Sequence, residues 1–300
     1  MNRIPRAEHP RPDRERAEWL SLNGTWEFEI DYSCSGEERG LPEAESLSGT
    51  ITVPFCPESS LSGVNHKDFM QGLWYQRSVT LTKEQCAGRV FLHFGAVDYE
   101  CIAYVNGQKA GYHKGGYVSF KFEVTDLVRE GENVITVNAL DDNRDPLVPR
   151  GKQSEQYYSH DCDYTRTTGI WQSVWLEAVE EAHVLSYRAY PNISDPSVGL
   201  LVSMSHASLG ATLTVKAYYE GRLMGEASTK VDSLQASLSL PLAEKHLWEC
   251  GKGRLYDLVF TTEQEGHTDL LKGYFGLREV ALTKEKGLTV NGKTVFGRFV

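Results

Sequence analysis

Residues 99–113, YECIAYVNGQKAGYH, decide the fold class. Tyr99, Cys101, Ala103 and Val105 alternate with polar neighbours, the period-two signature of a strand with one buried face. Asn106-Gly107 follows at once. A two-residue type I′ turn needs positive φ at both central positions, which Asn and Gly supply, so the stretch predicts a tight hairpin. Working outward, Val118, Phe120, Phe122 and Val124 alternate in VSFKFEV, and Trp26, Phe28 and Ile30 do so in TWEFEI. Further strands are expected at LWYQRSVTL, RVFLHF, NVITVNAL and WQSVWLEAV. The second half continues with HVLSYRAYPNI, GLLVSMSH, TLTVKAYY, QASLSLPL and RLYDLVFTT, short runs at the spacing of a β-sandwich. No apolar stripe of helical period is sustained over the ~11 to 18 residues an amphipathic helix requires. The chain reads as all-β, with one boundary near AVEEAH (178–183) and another near TKEKG (283–287).

Composition narrows the function classes. The chain has 300 residues, 31 basic and 41 acidic side chains and a net charge of −10. A general grip on nucleic acid or on an anionic membrane needs a basic face, so neither partner is expected. No apolar run approaches the ~20 residues that span a bilayer. The opening MNRIPRAEHPRPDRERAEWL lacks an apolar signal core, so no secretory signal is expected. The arginines of HPRPDRERAEW form a charged lead-in, or else pin the N-terminus against another domain. Six cysteines, at 34, 56, 86, 101, 162 and 250, form no CxxC pair and stand at no zinc-ligand spacing. They are expected as reduced thiols in a cytoplasmic protein, with no metal and no cofactor.

Phosphate loops, nucleophile elbows and HExxH helices are absent from the sequence. One stretch differs in character. Residues 141–171, DDNRDPLVPRGKQSEQYYSHDCDYTRTTGIW, place about thirty mostly polar residues between two apolar strands, far beyond the usual connection length. Carboxylates, amides and tyrosines in one segment suit sugar recognition, and they equally suit a solvated loop stitched by its own ion pairs. His93 and His113 are expected as sandwich histidines, and Trp19, Trp26 and Trp74 as packing residues, although Trp74 in QGLWYQRS can also line a sugar site.

LSLNGTWEFEI, VPFCPESSLSG, LWYQRSVTL, the run from AVDYECIAYVNG to ALDDN, TRTTGIWQSVWLE, WECGKGRLYDLVFTT, GYFGLREVAL and LTVNGKTVFGRFV together resemble the N-terminal half of glycoside hydrolase family 2. That family includes β-galactosidases, β-glucuronidases and β-mannosidases. The resemblance implies a jelly-roll, galactose-binding-like sandwich over residues 1–180 and an immunoglobulin-like sandwich over 181–283. Residues 284–300 would then open a (β/α)8 barrel that these residues do not contain. It also implies a retaining β-glycosidase, β-galactosidase-like, whose two catalytic glutamates lie on the barrel. One of those follows an asparagine, and this sequence has no Asn-Glu dipeptide, so no catalytic residue is expected here. The expected partners are a β-glycoside, the barrel and, where the sandwich surfaces meet, a second copy of the chain. In the family an aspartate six residues before a Gly-Ile pair reaches the sugar, and with Gly169-Ile170 that position is Asp163. Asp161 is a weaker second, and Arg150, Lys152 and Gln153 of PRGKQ form a motif of a family subset. An asparagine that some β-galactosidases use before the strand at Gly72 is unmatched, since Asp68, Phe69, Met70 and Gln71 stand there. The other reading is an autonomous carbohydrate-binding module, and a third is a purely structural sandwich.

Overall fold

The computed structural model describes residues 4–297. Among them the chain is all-β, with helix confined to four short 3-10 turns, and no helix is long and apolar enough to cross a membrane. It divides into two compact units. One comprises the residues up to Pro10 together with Glu18–Ala178, the other Arg11–Ala17 with the residues from Val179 on.

The first unit holds strands β1 (Trp19–Ser21), β2 (Gly24–Ile30), β3 (Gly49–Val53), β4 (Gly72–Leu81), β5 (Arg89–Phe94), β6 (Val97–Asp98), β7 (Glu100–Val105), β8 (Gln108–Lys114), β9 (Phe120–Glu123), β10 (Gly131–Leu140), β11 (Gly169–Ile170) and β12 (Val174–Val179). A six-stranded antiparallel sheet, in the order β3-β2-β4-β10-β7-β8, faces a four-stranded one, β1-β12-β5-β9. Between them lie Trp26, Phe28, Leu73, Tyr75, Cys101, Ala103 and Val105 from the larger sheet and Val90, Leu92, Phe94, Val174 and Leu176 from the smaller. These are the inward positions of the alternating runs, and their removal from water drives the two sheets together. The hairpin turn has the conformation its sequence demands, with φ of 51° at Asn106 and 80° at Gly107. The alternation read at 118–124 starts too early. Pairing of β5 with β9 begins at Phe94↔Phe120, and Val118, one turn before the strand, is exposed.

Trp74 points away from that core. On the opposite face of the larger sheet it stacks on Tyr104, with Leu41 beside it, and its indole N–H donates to Asp31 Oδ2 at 3.1 Å. Gly36 closes over the ring so tightly that a Cβ there would stand 2.1 Å from Trp74 Nε1. Trp74 is thus a packing residue beneath a surface loop. His93 lies flat on Trp175 at 4.7 Å with Nε2 3.2 Å from Glu177, and His113 stacks on Phe120 at 3.8 Å. Both are sandwich histidines.

The second unit packs three strands, Val184–Asn192, Ser197–Met204 and Gln235–Pro241, against four, Thr212–Tyr219, Arg222–Lys230, Tyr256–Gln264 and His267–Phe275. Strict alternation puts Val198, Leu200, Val202 and Met204 inward to meet Leu213, Val215, Leu258, Phe260 and Leu271. Two leading residues are built into this unit. Glu15 pairs through its backbone with Lys272, and the buried Arg16 guanidinium grips Asp269 through Nε at 3.0 Å and Nη2 at 3.1 Å, while Nη2 also donates to Val184 O. Arg16 of the arginine-rich lead-in is thus held within the second unit. A last small sheet joins Val280–Thr283, Gly287–Val290 and Lys293–Thr294, the latter two linked by an Asn291-Gly292 turn with positive φ at both residues. Positions 298–300 of the barrel-entry segment lie outside the described residues.

Candidate functional site

The long polar connection leaves the core where β10 ends at Leu140 and returns at β11. Its middle is organised by one side chain. Gln153 is only 7% exposed, and its amide group is fully used: Nε2 donates to Asp98 Oδ2 (2.7 Å) and to Tyr117 Oη (3.1 Å), while Oε1 accepts from Asn143 Nδ2 (3.1 Å) and Thr167 N (2.7 Å). An amide offers two donors and an acceptor oxygen with two lone pairs, so every site it has is satisfied within the fold. Around this hub the segment pairs with itself in parallel, Tyr164 N donating to Lys152 O and Ser154 N to Tyr164 O. Arg166 is buried beside it, its guanidinium donating to the carbonyls of Ser154, Gln156 and Lys67 and lying 4.1 Å over the Phe69 ring.

That frame carries a tight turn. His160 N donates to Asp163 O (3.0 Å) and Asp163 N to His160 O (2.8 Å), with Asp161 at φ 47° between them. Asp163 is half-buried at the end of the turn. Asp161 is 93% exposed, with Oδ2 3.4 Å from His160 Nδ1. Arg150 is half-buried and paired with Glu155 at 2.9 Å, Lys152 is exposed, and Gln153 is the internal hub. Asp163 and Asp161 therefore share the turn with His160, Arg150 joins the cluster through Glu155, and the Lys152 and Gln153 side chains stand apart from it. Glu155, His160 and Asp163 each bring one ligand-type atom within 4.8 Å of the others, a juxtaposition that no sequence spacing signals. Arg150 supplies positive charge there, which makes the group an ion-pair cluster around Glu155. Its own backbone hydrogen bond, then Arg150 and to a lesser extent His160, hold the Glu155 carboxylate low. Tyr157, Tyr158 and Tyr164 are exposed on the same segment, Tyr157 meeting Phe69 edge-on at 5.0 Å.

Beneath the segment lie three buried carboxyl groups that periodicity reading passed over: Glu58 (4% exposed), Asp98 (2%) and Asp141 (5%). Burial pushes all three upward, Asp98 to about 6 and Asp141 to about 8, the latter with added repulsion from Asp98 and Glu58. The signal was available in sequence. Acidic residues inside otherwise core-forming or turn-forming runs, as in FCPESS and AVDYE, need a buried role that alternation alone does not supply.

Comparison with known proteins places this geometry in a family. Residues 19–179, which contain the whole polar segment, match the profile described as "Glycosyl hydrolases family 2, sugar binding domain". A β-galactosidase of Thermoanaerobacter pseudethanolicus is 24% identical over 292 residues, covering 92% of this chain and 36% of the relative. A β-glucuronidase of Bacteroides fragilis is likewise 24% identical, covering 91% of this chain and 40% of the relative. Among solved structures, the Ruminococcus gnavus β-glucuronidase superposes with a TM-score of 0.78 at 21% identity, over 93% of this chain and 48% of that one. At that identity the superposition speaks for the fold. The chain spans less than half the length of these relatives. With a profile match over more than half of its residues and both sandwiches in place, the chain belongs to glycoside hydrolase family 2 and comprises its N-terminal, sugar-binding-domain portion.

Proposed function

We propose that this chain is the sugar-contacting and scaffolding part of a retaining, β-galactosidase-like enzyme that hydrolyses O-glycosyl bonds, with both catalytic glutamates on a barrel outside these residues. The observation that carries this reading is the placement of Asp163, six residues before Gly169-Ile170, on a tight turn whose base is locked inside the fold and whose tip stays accessible. An ionised carboxylate there can accept two sugar hydroxyls in charge-assisted bonds. Asp161 on the same turn is the second candidate, and the exposed tyrosines offer faces for apolar sugar C–H patches. Arg150 and Gln153 contribute by shaping the turn, and the exposed Lys152 ammonium remains free to meet a ligand.

In the retaining scheme one carboxyl protonates the leaving oxygen while a second, ~5 Å away, attacks the anomeric carbon; water then cleaves the glycosyl-enzyme. The gain comes from holding both groups against the substrate, so a lone sugar-contacting turn gives no turnover. The six free cysteines support a reducing compartment such as the cytoplasm. Exposed Leu147, Leu282 and Phe296 support self-association of the isolated chain.

The family's own description, a sugar binding domain, favours a second reading, that of an autonomous carbohydrate-binding module. Calorimetry of the purified chain with galactose and with glucuronate separates the two. Our reading expects no measurable heat of binding, because the site is completed by the barrel. Millimolar or tighter binding assigns the chain as a module.

A further inference from the structure

Three buried carboxyl groups gather at the root of the polar segment. Asp141 is its first residue, Asp98 accepts from the hub amide of Gln153, and Glu58 Oε2 accepts from Thr168 N at 3.3 Å just before the chain rejoins the sheet. The three come from different parts of the first unit: the loop after β3, strand β6 and the end of β10. None of them takes part in an ion pair among the described residues. Both oxygens of Asp141 and Oε1 of Glu58 are buried without a hydrogen-bond partner.

Their surroundings offer no compensating charge. Asp141 faces Asp98, Glu58 and Asp142, and the Thr168 side chain is the one neighbour that favours its ionised form. Glu58 has the half-buried Cys56 thiol and the buried Tyr75 beside it, and the Tyr75 hydroxyl accepts from Ile170 N at 3.3 Å. Tyr117 stands by Asp98 and gives its proton to Arg150 O. The segment's nearby cations are committed elsewhere, Arg166 to three carbonyls and Arg150 to Glu155. Ionising a buried carboxyl that lacks donors is unfavourable, whereas a protonated one carries no charge and supplies a donor of its own.

We propose that Asp141, with Glu58 and Asp98, forms a proton-binding latch that closes the 141–168 segment when protonated and releases it when ionised. The inference rests on the root of the segment and not on the sugar reading. The direction in pH follows from linkage. In the open segment an aspartate returns towards its ordinary value of 3.8, whereas the closed form holds Asp141 at about 8. The closed form therefore binds more protons, and its advantage is lost as pH rises from about 4 to about 8, then levels off. Because Asp163 sits on this segment, acid favours the ordered turn.

Amide hydrogen exchange on the full 300-residue chain, read by mass spectrometry at about pH 5.5 and about pH 8 and corrected for intrinsic rates, tests the latch. The opening equilibrium of peptides within 141–168 should rise at least about tenfold at the higher pH, given one decade per unit of pKa difference, while the Ser197–Met204 strand serves as the unchanged reference. Asp141→Asn, an isostere of the protonated group, should remove most of that dependence. Should that variant fail to fold, infrared spectroscopy of the unmodified chain gives the same answer through a protonated-carboxyl C=O band at neutral pH that vanishes on titration to about pH 10. Three results overturn the proposal: protection that does not change with pH, absence of the band, or protection at about pH 8 restored by Mg2+ or Ca2+, which would mean ionised carboxylates holding a cation.

Discussion

Gln153 Nε2 donates to Asp98 Oδ2 at 2.7 Å, joining residues 55 positions apart, and this bond anchors the longest irregular segment of the first sandwich to a buried strand. The same amide receives Asn143 and Thr167, so the segment's outgoing and returning limbs meet at one side chain.

Gln153→Ala removes four hydrogen bonds and leaves Asp98 without its donor. Each unsatisfied buried polar group costs about 1–3 kcal/mol, so the variant should open residues 141–168 selectively. Limited proteolysis should cut there at least ten times faster, at about 1.4 kcal/mol per decade, with the second sandwich unaffected. Equal resistance of variant and parent would remove Gln153 from its role as hub.

Asp163→Asn is the counterpart. The side chain is half-exposed and belongs to no buried network, so unfolding by urea should shift by no more than about 0.5 kcal/mol. With the chain joined to its barrel, the same change should lower kcat/KM by at least tenfold through loss of a charge-assisted bond worth about 1.5–3 kcal/mol. A large stability loss with unchanged kcat/KM would make Asp163 structural.

Arg16→Ala leaves Asp269 buried without its partner in the second sandwich. Breaking a buried pair of this kind costs about 3–5 kcal/mol, whereas replacing both members by apolar residues is often neutral. Urea denaturation should show a large drop for Arg16→Ala and a recovery of most of it in Arg16→Met with Asp269→Leu. A drop below about 1 kcal/mol for the single variant would place the pair among weak surface bridges.

Gly36→Ala tests the cover over Trp74. The added methyl would meet the indole at 2.1 Å and must displace the loop or the ring, at a cost of about 1–3 kcal/mol. The expected signature is a lower melting temperature together with altered near-ultraviolet dichroism; an unchanged spectrum and melting point would mean that the loop yields freely.

Much of this fold was legible in the chain because alternation and Asn-Gly turns are local signals. Cys101, Ala103 and Val105 face inward as their spacing requires, and the hairpin turns where Asn106-Gly107 stands. Val118 escaped that logic, since periodicity does not mark where pairing begins. The site was legible only in outline. Length and polarity singled out 141–171, but the hub role of Gln153 and the convergence of Glu58 and Asp98 beneath the segment depend on contacts between residues far apart in sequence. Arg16 was ambiguous for the same reason, as its partner lies 253 residues away.

The most direct test of the account is turnover of chromogenic β-galactoside, β-glucuronide and β-mannoside by the homogeneous 300-residue chain. If this chain is scaffold and sugar-contacting turn, with the bond-breaking carboxyls outside it, no release above the buffer rate is predicted. Sustained, protein-dependent hydrolysis that co-purifies with the chain would contradict it.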